Sequence, residues 1–419
     1  MTMEIGTQYT ITKATQGGIS KRQMWSAVGS MSLCAAMLIA SEFMPVSLLT
    51  PIATDLGATN GMAGQAISIS GLFAVVTSLL IATLAGRFDR RYVLTGLTAL
   101  MLASLVLIAE APNFGVLMVA RALLGMTIGG FWALATATIM RLVPEEAVPK
   151  ALGVLYTGNA VATAFAAPIG SYLGGIIGWR GVFWALAPIV VISLIWQWVS
   201  LPPMRPEAAN PVGKVFGLLK RRNVAFAMLG AMLSFAGAFS VFTYLRPFLE
   251  SYTRVSVPQL SLLLFALGVA GFLGTYGATA LLGRRLYSLL MGLPLALGAV
   301  TLGMLASGHV LWGVAATMFA WGTLNSAIPV AWGAWLTKGV SDEPESGGGL
   351  MVAAIQLSIM LGAAFGGLLL DHISIMAPFV GGAVLLALAS LIVGNGDRIK
   401  PPGESAAVEA PQDMATLIN

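Results

Sequence analysis

The chain has 419 residues, of which 57% are hydrophobic and only 9% charged, with a mean hydropathy of +0.87. Soluble globular domains carry about 25% charged residues, so these proportions exclude that class and indicate a polytopic, all-α membrane protein. The formal charge of +5 is first a matter of membrane topology; a nucleic-acid partner is not expected.

Residues 1–24 are polar, and the apolar run after them is too long for the core of a cleavable signal peptide, so they are read as a cytoplasmic N-terminal segment. Apolar runs separated by breaker residues then predict twelve spans, at about 25–50, 62–84, 92–110, 114–140, 151–177, 181–201, 224–249, 257–282, 287–308, 310–336, 349–370 and 376–394. An even number of spans puts both termini on one side. Basic residues cluster in the N-terminal segment and alternate loops, among them Arg87, Arg90, Arg91, Arg141, Lys150, Arg221, Arg284 and Lys338, whereas the opposite side holds Arg180, Arg254 and Arg246. By the positive-inside rule both termini are cytoplasmic.

The longest internal loop, 202–223, begins with prolines and continues into a short amphipathic stretch, KVFGLLKRR. It divides the chain into helix bundles at 25–201 and 224–394, and the residues after them, 395–419, read as a disordered cytoplasmic tail. The halves repeat each other at an offset of 197: Gly71 maps to Gly268, Gly86-Arg87 to Gly283-Arg284, Gly125 to Gly322, Asn159 to Gln356 and Ala166-Ala167 to Ala363-Ala364. Six spans repeated in one orientation imply two bundles related by a pseudo-two-fold axis along the membrane normal, with a substrate cavity between them.

In the first span, Glu42 is the lone charge in a run of apolar residues. Ionisable groups at that depth are costly and mark candidate functional sites, with a partner to be sought. Span four supplies one: Arg121, Gly125 and Gly129 fall at i, i+4 and i+8 on one helix face, where glycines permit close packing and the arginine faces protein. Both Glu42 and Arg121 lie eight residues from the outer end of their spans, roughly 12 Å deep. They are therefore candidate partners in a proton switch, because competition between a neighbouring cation and burial makes a carboxylate switchable. The alternative is an arginine held by backbone carbonyls alone. Met318 stands at the repeat position of Arg121, so any proton chemistry belongs to the first half.

Polar and aromatic residues at mid-span are the candidate substrate contacts: Trp132, Asn159, Tyr244, Trp321, Asn325 and Gln356. Amides hydrogen-bond a polar ligand and aromatic faces stack on a planar one. The lone Cys34 lies within the first span and reads as apolar filler. Enzyme chemistry is not expected: His309 and His372 lie near outer loops, apart from any nucleophile, metal cluster or phosphate loop in the sequence.

Several motifs then point to a family. The loop LAGRFDRRYVL, residues 84–94, resembles the signature loop of the major facilitator superfamily, with Gly86 where that pattern has aspartate and Asp89 where it has its second glycine. The span-four segment resembles that family's motif in which an arginine precedes a glycine by four residues, and AFAAPIGSYLGG, with Pro168, Gly170 and Gly174, resembles part of the span-five motif of its drug:proton antiporters. GWRGVF after it is similar to the family's outer turn.

EFMPVSLLTPIA from Glu42 and FTYLRPF from Phe242 are similar to bacterial purine ribonucleoside efflux pumps. This resemblance implies a monomeric transporter of the bacterial inner membrane exporting purine nucleosides against a proton gradient, without a bound cofactor. It further implies a gating role for Gly86, Arg87, Asp89, Arg90, Arg91, Pro168, Gly170 and Gly174. A broad drug or sugar efflux pump of the same fold and a membrane sensor or channel are the other readings.

Overall fold

The computed structural model describes residues 20–85, 88–204 and 216–401. Its helices are α1 (Lys21–Ser47), α2 (Leu49–Asp55), α3 (Asn60–Ala85), α4 (Arg90–Ala109), α5 (Phe114–Leu142) and α6 (Val148–Ser200), then α7 (Arg222–Thr243), α8 (Leu245–Phe248), α9 (Val257–Ala306), α10 (Leu311–Gly339), α11 (Pro344–His372) and α12 (Ala377–Val393). With 53 residues, α6 would be about 80 Å long if straight, far beyond a bilayer. It folds back at Gly178, whose φ of 73° lies in the left-handed region open to glycine. The 50-residue α9 turns likewise at Arg285. Counting both limbs of α6 and α9, and taking α2 and α8 as extensions of α1 and α7, the described residues make twelve passages.

Helix starts follow local chemistry. The Ser20 hydroxyl accepts from Gln23 N at 3.1 Å, Asn113 Oδ1 from Val116 N at 3.0 Å, and Ser256 with Gln259 forms a capping box before α9. The first passage breaks at Leu48, three residues after Pro45, and the seventh at Tyr244, three residues before Pro247. A proline removes one backbone donor and crowds the turn before it, which gives the break at Tyr244 a cause; Pro45 in the same way leaves the Ser41 carbonyl, one turn before it, without its helical hydrogen bond.

Two apolar cores result. One runs from Ala27 and Met31 through Leu124 and Phe131 to Phe183, and the other from Val224 through Trp321 and Trp332 to Phe379. In lipid, close backbone approach replaces the hydrophobic drive between helices. A Cβ on Gly125 would meet the Ser70 carbonyl oxygen and one on Gly129 that of Ala74, so α5 lies directly on α3. Gly322 meets the Leu267 carbonyl in the same way, both members of the pair shifted by the repeat offset of 197. Cys34 is fully buried in the first core, 3.4 Å from the Thr98 hydroxyl.

The bundles meet along α3 with α11 and α6 with α9. At the outer surface Asp371 accepts from the Thr59 hydroxyl at 2.5 Å and from Gly61 N at 3.0 Å. Deeper, Gln65 donates to the Ala364 carbonyl at 3.4 Å, and Gly71 approaches the backbone at Gln356 and Met360. On the other side of the axis Ser261 donates to the Ser171 hydroxyl at 3.0 Å, and Gly268 abuts the Ala164 carbonyl. The seam is thus closed at the end that carries Thr59 and Asp371.

Two boundaries differ from expectation. The first span begins at Lys21, four residues before the predicted 25, because Ser20 caps it. Residues 395–401 are ordered where disorder was expected: Ile399 is fully buried and its carbonyl accepts from the Trp335 indole at 2.8 Å. An apolar anchor between the charged residues Arg398 and Lys400 fixes this segment beneath the second bundle.

Candidate functional site

Glu42 is 3% exposed and Arg121 fully buried, at one depth as their spacing predicts. Arg121 Nη1 donates to the Ser41 carbonyl and Nε to that of Ala66, both at 3.0 Å, while buried Nη2 has no hydrogen-bond partner. Among the described residues no ion pair within 4.0 Å joins Arg121 to Glu42. Arg121 is thus held by backbone carbonyls, one of them next to Glu42, and not by the carboxylate itself. The arginine's charge still acts on the Glu42 carboxylate through space, and Gln356 of the second bundle is the other side chain near it. Gln356 is 8% exposed, and because its Nε2 makes no hydrogen bond within 3.5 Å its interaction with the Glu42 carboxylate is a long or poorly aligned one.

The face carrying Arg121 follows its helix spacing. Arg121, Gly125 and Gly129 on α5 meet the carbonyls of Ala66, Ser70 and Ala74 on α3, each series stepping by four. Beside the arginine a small cavity, with room for about one water molecule, is lined by Pro45, Leu49, Ala66, Leu117 and Phe183.

The candidate substrate contacts separate into groups. Trp132 stacks on Tyr156 with centroids 5.9 Å apart and planes at 14°, and Asn159 lies on the same helix as Tyr156, partly exposed. Asn325 is partly exposed on α10, and buried Trp321 donates its indole N–H to Thr301 at 3.1 Å and stacks on Phe242. Tyr244 is placed differently: it is fully buried in the outer seal, its hydroxyl donates to the Ala363 carbonyl at 2.7 Å, and its ring fits a notch cut by Gly64, Gly366 and Gly367. Arg246, two residues on, pairs with Glu250 at 2.7 Å and donates across the seam to the Ser47 carbonyl.

Of the gating residues, Gly86 and Arg87 lie outside the described residues. Asp89 caps α4 through Arg91 N at 2.8 Å and accepts from Met204 N at 3.0 Å, so it ties the segment after α6 to the start of α4. Arg91 donates to the Trp198 carbonyl at 2.5 Å and its guanidinium lies over the Trp198 ring at 4.9 Å, and Arg90 N donates to the Met204 carbonyl at 3.2 Å. Pro168 is buried without breaking α6. Gly170 and Gly174 face Ser47 and Leu48, so this stripe packs on the break in the first passage.

Residues not singled out from sequence also bear on the site: Phe43, Phe239 and Phe242 form a ring cluster beside Glu42, and Thr59 with Asp371 closes the outer seam. The position of Phe43 directly after Glu42 was the available signal.

The sequence profile of the Major Facilitator Superfamily matches residues 31–343. The chain is 47% identical to the transcription regulatory protein OpdE of Pseudomonas aeruginosa, over 90% of this chain and 95% of that one. It is 40% identical to the purine ribonucleoside efflux pump NepI of Salmonella typhimurium, over 91% of this chain and 96% of that one. Its fold matches crystal structures of a bacterial homologue of the human lysosomal transporter Spinster. The inward-facing occupied form has a TM-score of 0.73 at 16% identity, covering 91% and 98% of the two chains. The inward-facing unoccupied form has a TM-score of 0.65 at 16% identity, covering 90% and 95%. From its profile match, its relatives and its two-bundle architecture, the chain belongs to the Major Facilitator Superfamily.

Proposed function

We propose that the protein exports purine ribonucleosides and their analogues from the cytoplasm in exchange for protons, by alternating access, as a multi-pass transporter of the bacterial inner membrane with both termini cytoplasmic. The observation that carries this reading is the placement of Glu42: a carboxylate 3% exposed, next in sequence to the Ser41 carbonyl that Arg121 holds, and with Gln356 of the second bundle near it. Such a group changes its interactions with both bundles when it gains or loses a proton, and that differential interaction is what couples a proton to a conformational equilibrium. The relatives named as purine ribonucleoside efflux pumps support the substrate class, and the amide and aromatic side chains at mid-depth suit a planar, polar solute.

The direct test is release of radiolabelled inosine from loaded cells with and without a proton gradient. Faster release with the gradient is expected; equal rates remove the coupling. The name of the Pseudomonas aeruginosa relative favours a second reading, a membrane protein acting in regulation. A protein that moves no nucleoside in this assay, yet alters transcription when overproduced, would support it. A broad efflux pump would protect cells from a lipophilic cation and not from 6-mercaptopurine.

A further inference from the structure

At the basic end of the second bundle some cations are matched and two are not. Arg221 binds Asp342 at 2.9 and 2.7 Å and Glu343 at 3.1 Å, and Lys400 pairs with Asp397 at 2.7 Å. Arg222 and Arg398 are exposed, and neither side chain makes a hydrogen bond or ion pair among the described residues. Both guanidiniums nevertheless come to one ring, that of Phe226, each 5.6 Å from its centroid.

The two arginines reach that ring from separate parts of the chain. Arg222 stands one turn before Phe226 on α7. Arg398 belongs to the segment after α12, which is fixed by buried Ile399 and by the Trp335 indole on its carbonyl. Two like charges are thus brought no further apart than twice their distance from the ring. Attraction to the ring face offsets only part of their repulsion. An anion between them reverses its sign, and the planar fork of arginine matches the oxygens of a phosphate.

The surroundings select the kind of phosphate. Arg222, Phe226, Leu229 and Leu233 fall at i, i+4, i+7 and i+11, one face of α7. Leu229 is 43% exposed, and Phe226 and Leu233 are half-buried. An apolar stripe therefore runs from the cations toward the middle of the membrane. A soluble phosphate uses the cations and leaves the stripe empty, whereas a phospholipid uses both.

We infer that Arg222 and Arg398 together hold the phosphate of an anionic phospholipid, whose acyl chain lies along Phe226, Leu229 and Leu233 of α7. Such a lipid bridges the start of α7 and the segment after α12. The site is independent of what the protein transports.

The test is native mass spectrometry of the full-length protein in detergent, with phosphatidylglycerol and phosphatidylcholine of the same acyl chains. The parent retains phosphatidylglycerol in preference to phosphatidylcholine. Arg222→Gln with Arg398→Gln weakens phosphatidylglycerol by about tenfold or more, as expected when two cations at a membrane surface are lost, and leaves phosphatidylcholine unchanged. Lys21→Gln with Lys338→Gln, which removes two other exposed cations of the basic side, stays within about threefold of the parent because isolated surface charges contribute little. Should the double arginine variant fail to fold, Arg398→Gln alone, outside any helix, weakens phosphatidylglycerol by about threefold or more on the same ground.

Equal retention of the two lipids by the parent would overturn the site, as would equal losses in the arginine and lysine variants. Complete displacement of phosphatidylglycerol by millimolar inorganic phosphate would assign the arginines to a soluble anion and remove the lipid.

Discussion

Arg121 donates to the carbonyl of Ser41 at 3.0 Å, so its charge is tethered to the backbone immediately before Glu42. The second bond, to Ala66 at 3.0 Å, ties α5 to α3 as well. One side chain thus fixes three helices and leaves a free Nη2 donor beside the carboxylate's helix. Charge-assisted hydrogen bonds contribute about 1.5–3 kcal/mol each. Arg121→Ala is expected to lose roughly 3–6 kcal/mol of stability from two such bonds, measurable as a lower melting temperature in detergent, together with all transport. Arg121→Lys keeps the charge without the planar fork that reaches two carbonyls, and is expected to fold but transport poorly. Normal export by Arg121→Lys would mean that only the charge matters.

The glycines beneath that arginine give a test of packing. A Cβ on Gly125 would collide with the Ser70 backbone, which cannot swing aside as a flexible side chain can. Gly125→Ala should therefore destabilise by about 1–3 kcal/mol, the range for overpacking a well-filled core. Gly96→Ala and Gly153→Ala meet nothing within 4 Å and should be neutral or slightly stabilising, since alanine favours the helix. Thermal denaturation of the three variants under one set of conditions separates these outcomes; equal melting temperatures would contradict the backbone contact.

The outer seal gives a conformational prediction. Asp371 takes hydrogen bonds from Thr59 and Gly61 at the start of α3, where unpaired amides and the helix dipole favour an anion. Asp371→Asn removes the charge and weakens the closure of the seam at this end. In a background lacking Cys34, a cysteine at Val46, 2% exposed, should label from the outside severalfold faster when Asp371 is replaced. Unchanged labelling would assign closure to Tyr244 and the surrounding packing instead.

The outer loops supply a pH dependence. Arg180 pairs with Asp55, which also accepts from the Trp179 indole at 3.3 Å, and the bond from Arg180 is the main cause holding the Asp55 carboxyl below the usual range. A lowered carboxyl pKa stabilises the fold above its unfolded value, about 3.9, and that stabilisation is lost as pH falls through the folded value. Both side chains are more than a third exposed, so the effect at neutral pH is small, about 0–1 kcal/mol. Asp55→Asn should melt slightly earlier than the parent at pH 7 and indistinguishably from it well below pH 4; a difference that grows on acidification would reverse the sign.

The twelve passages were legible because a bilayer demands long apolar runs, and the repeat was legible because both halves place a glycine at the same close approach to a backbone carbonyl: the pair Gly125–Ser70 reappears as Gly322–Leu267. Depth was legible for Glu42 and Arg121 because helical rise is constant. Facing was not. A helix apolar on every side has no polar stripe to show which way Phe43 or Phe239 points, and nothing local tells Tyr244 to enter a notch made by Gly64 and Gly367. Asp371 and Thr59, 312 residues apart, likewise become partners only through the meeting of the bundles. Ordered residues such as Ile399 were missed because one buried apolar side chain among Pro, Gly and charged residues leaves no periodic signal.

Coupling itself is tested most directly by Glu42→Gln in proteoliposomes, comparing exchange of labelled for unlabelled inosine at equal pH with accumulation driven by a pH gradient. The variant keeps the shape of the side chain but cannot carry a negative charge. It is expected to exchange inosine at a rate comparable to the parent while losing the response to the gradient. Gradient-driven accumulation by Glu42→Gln at the parent's level would contradict a role for this carboxylate in coupling.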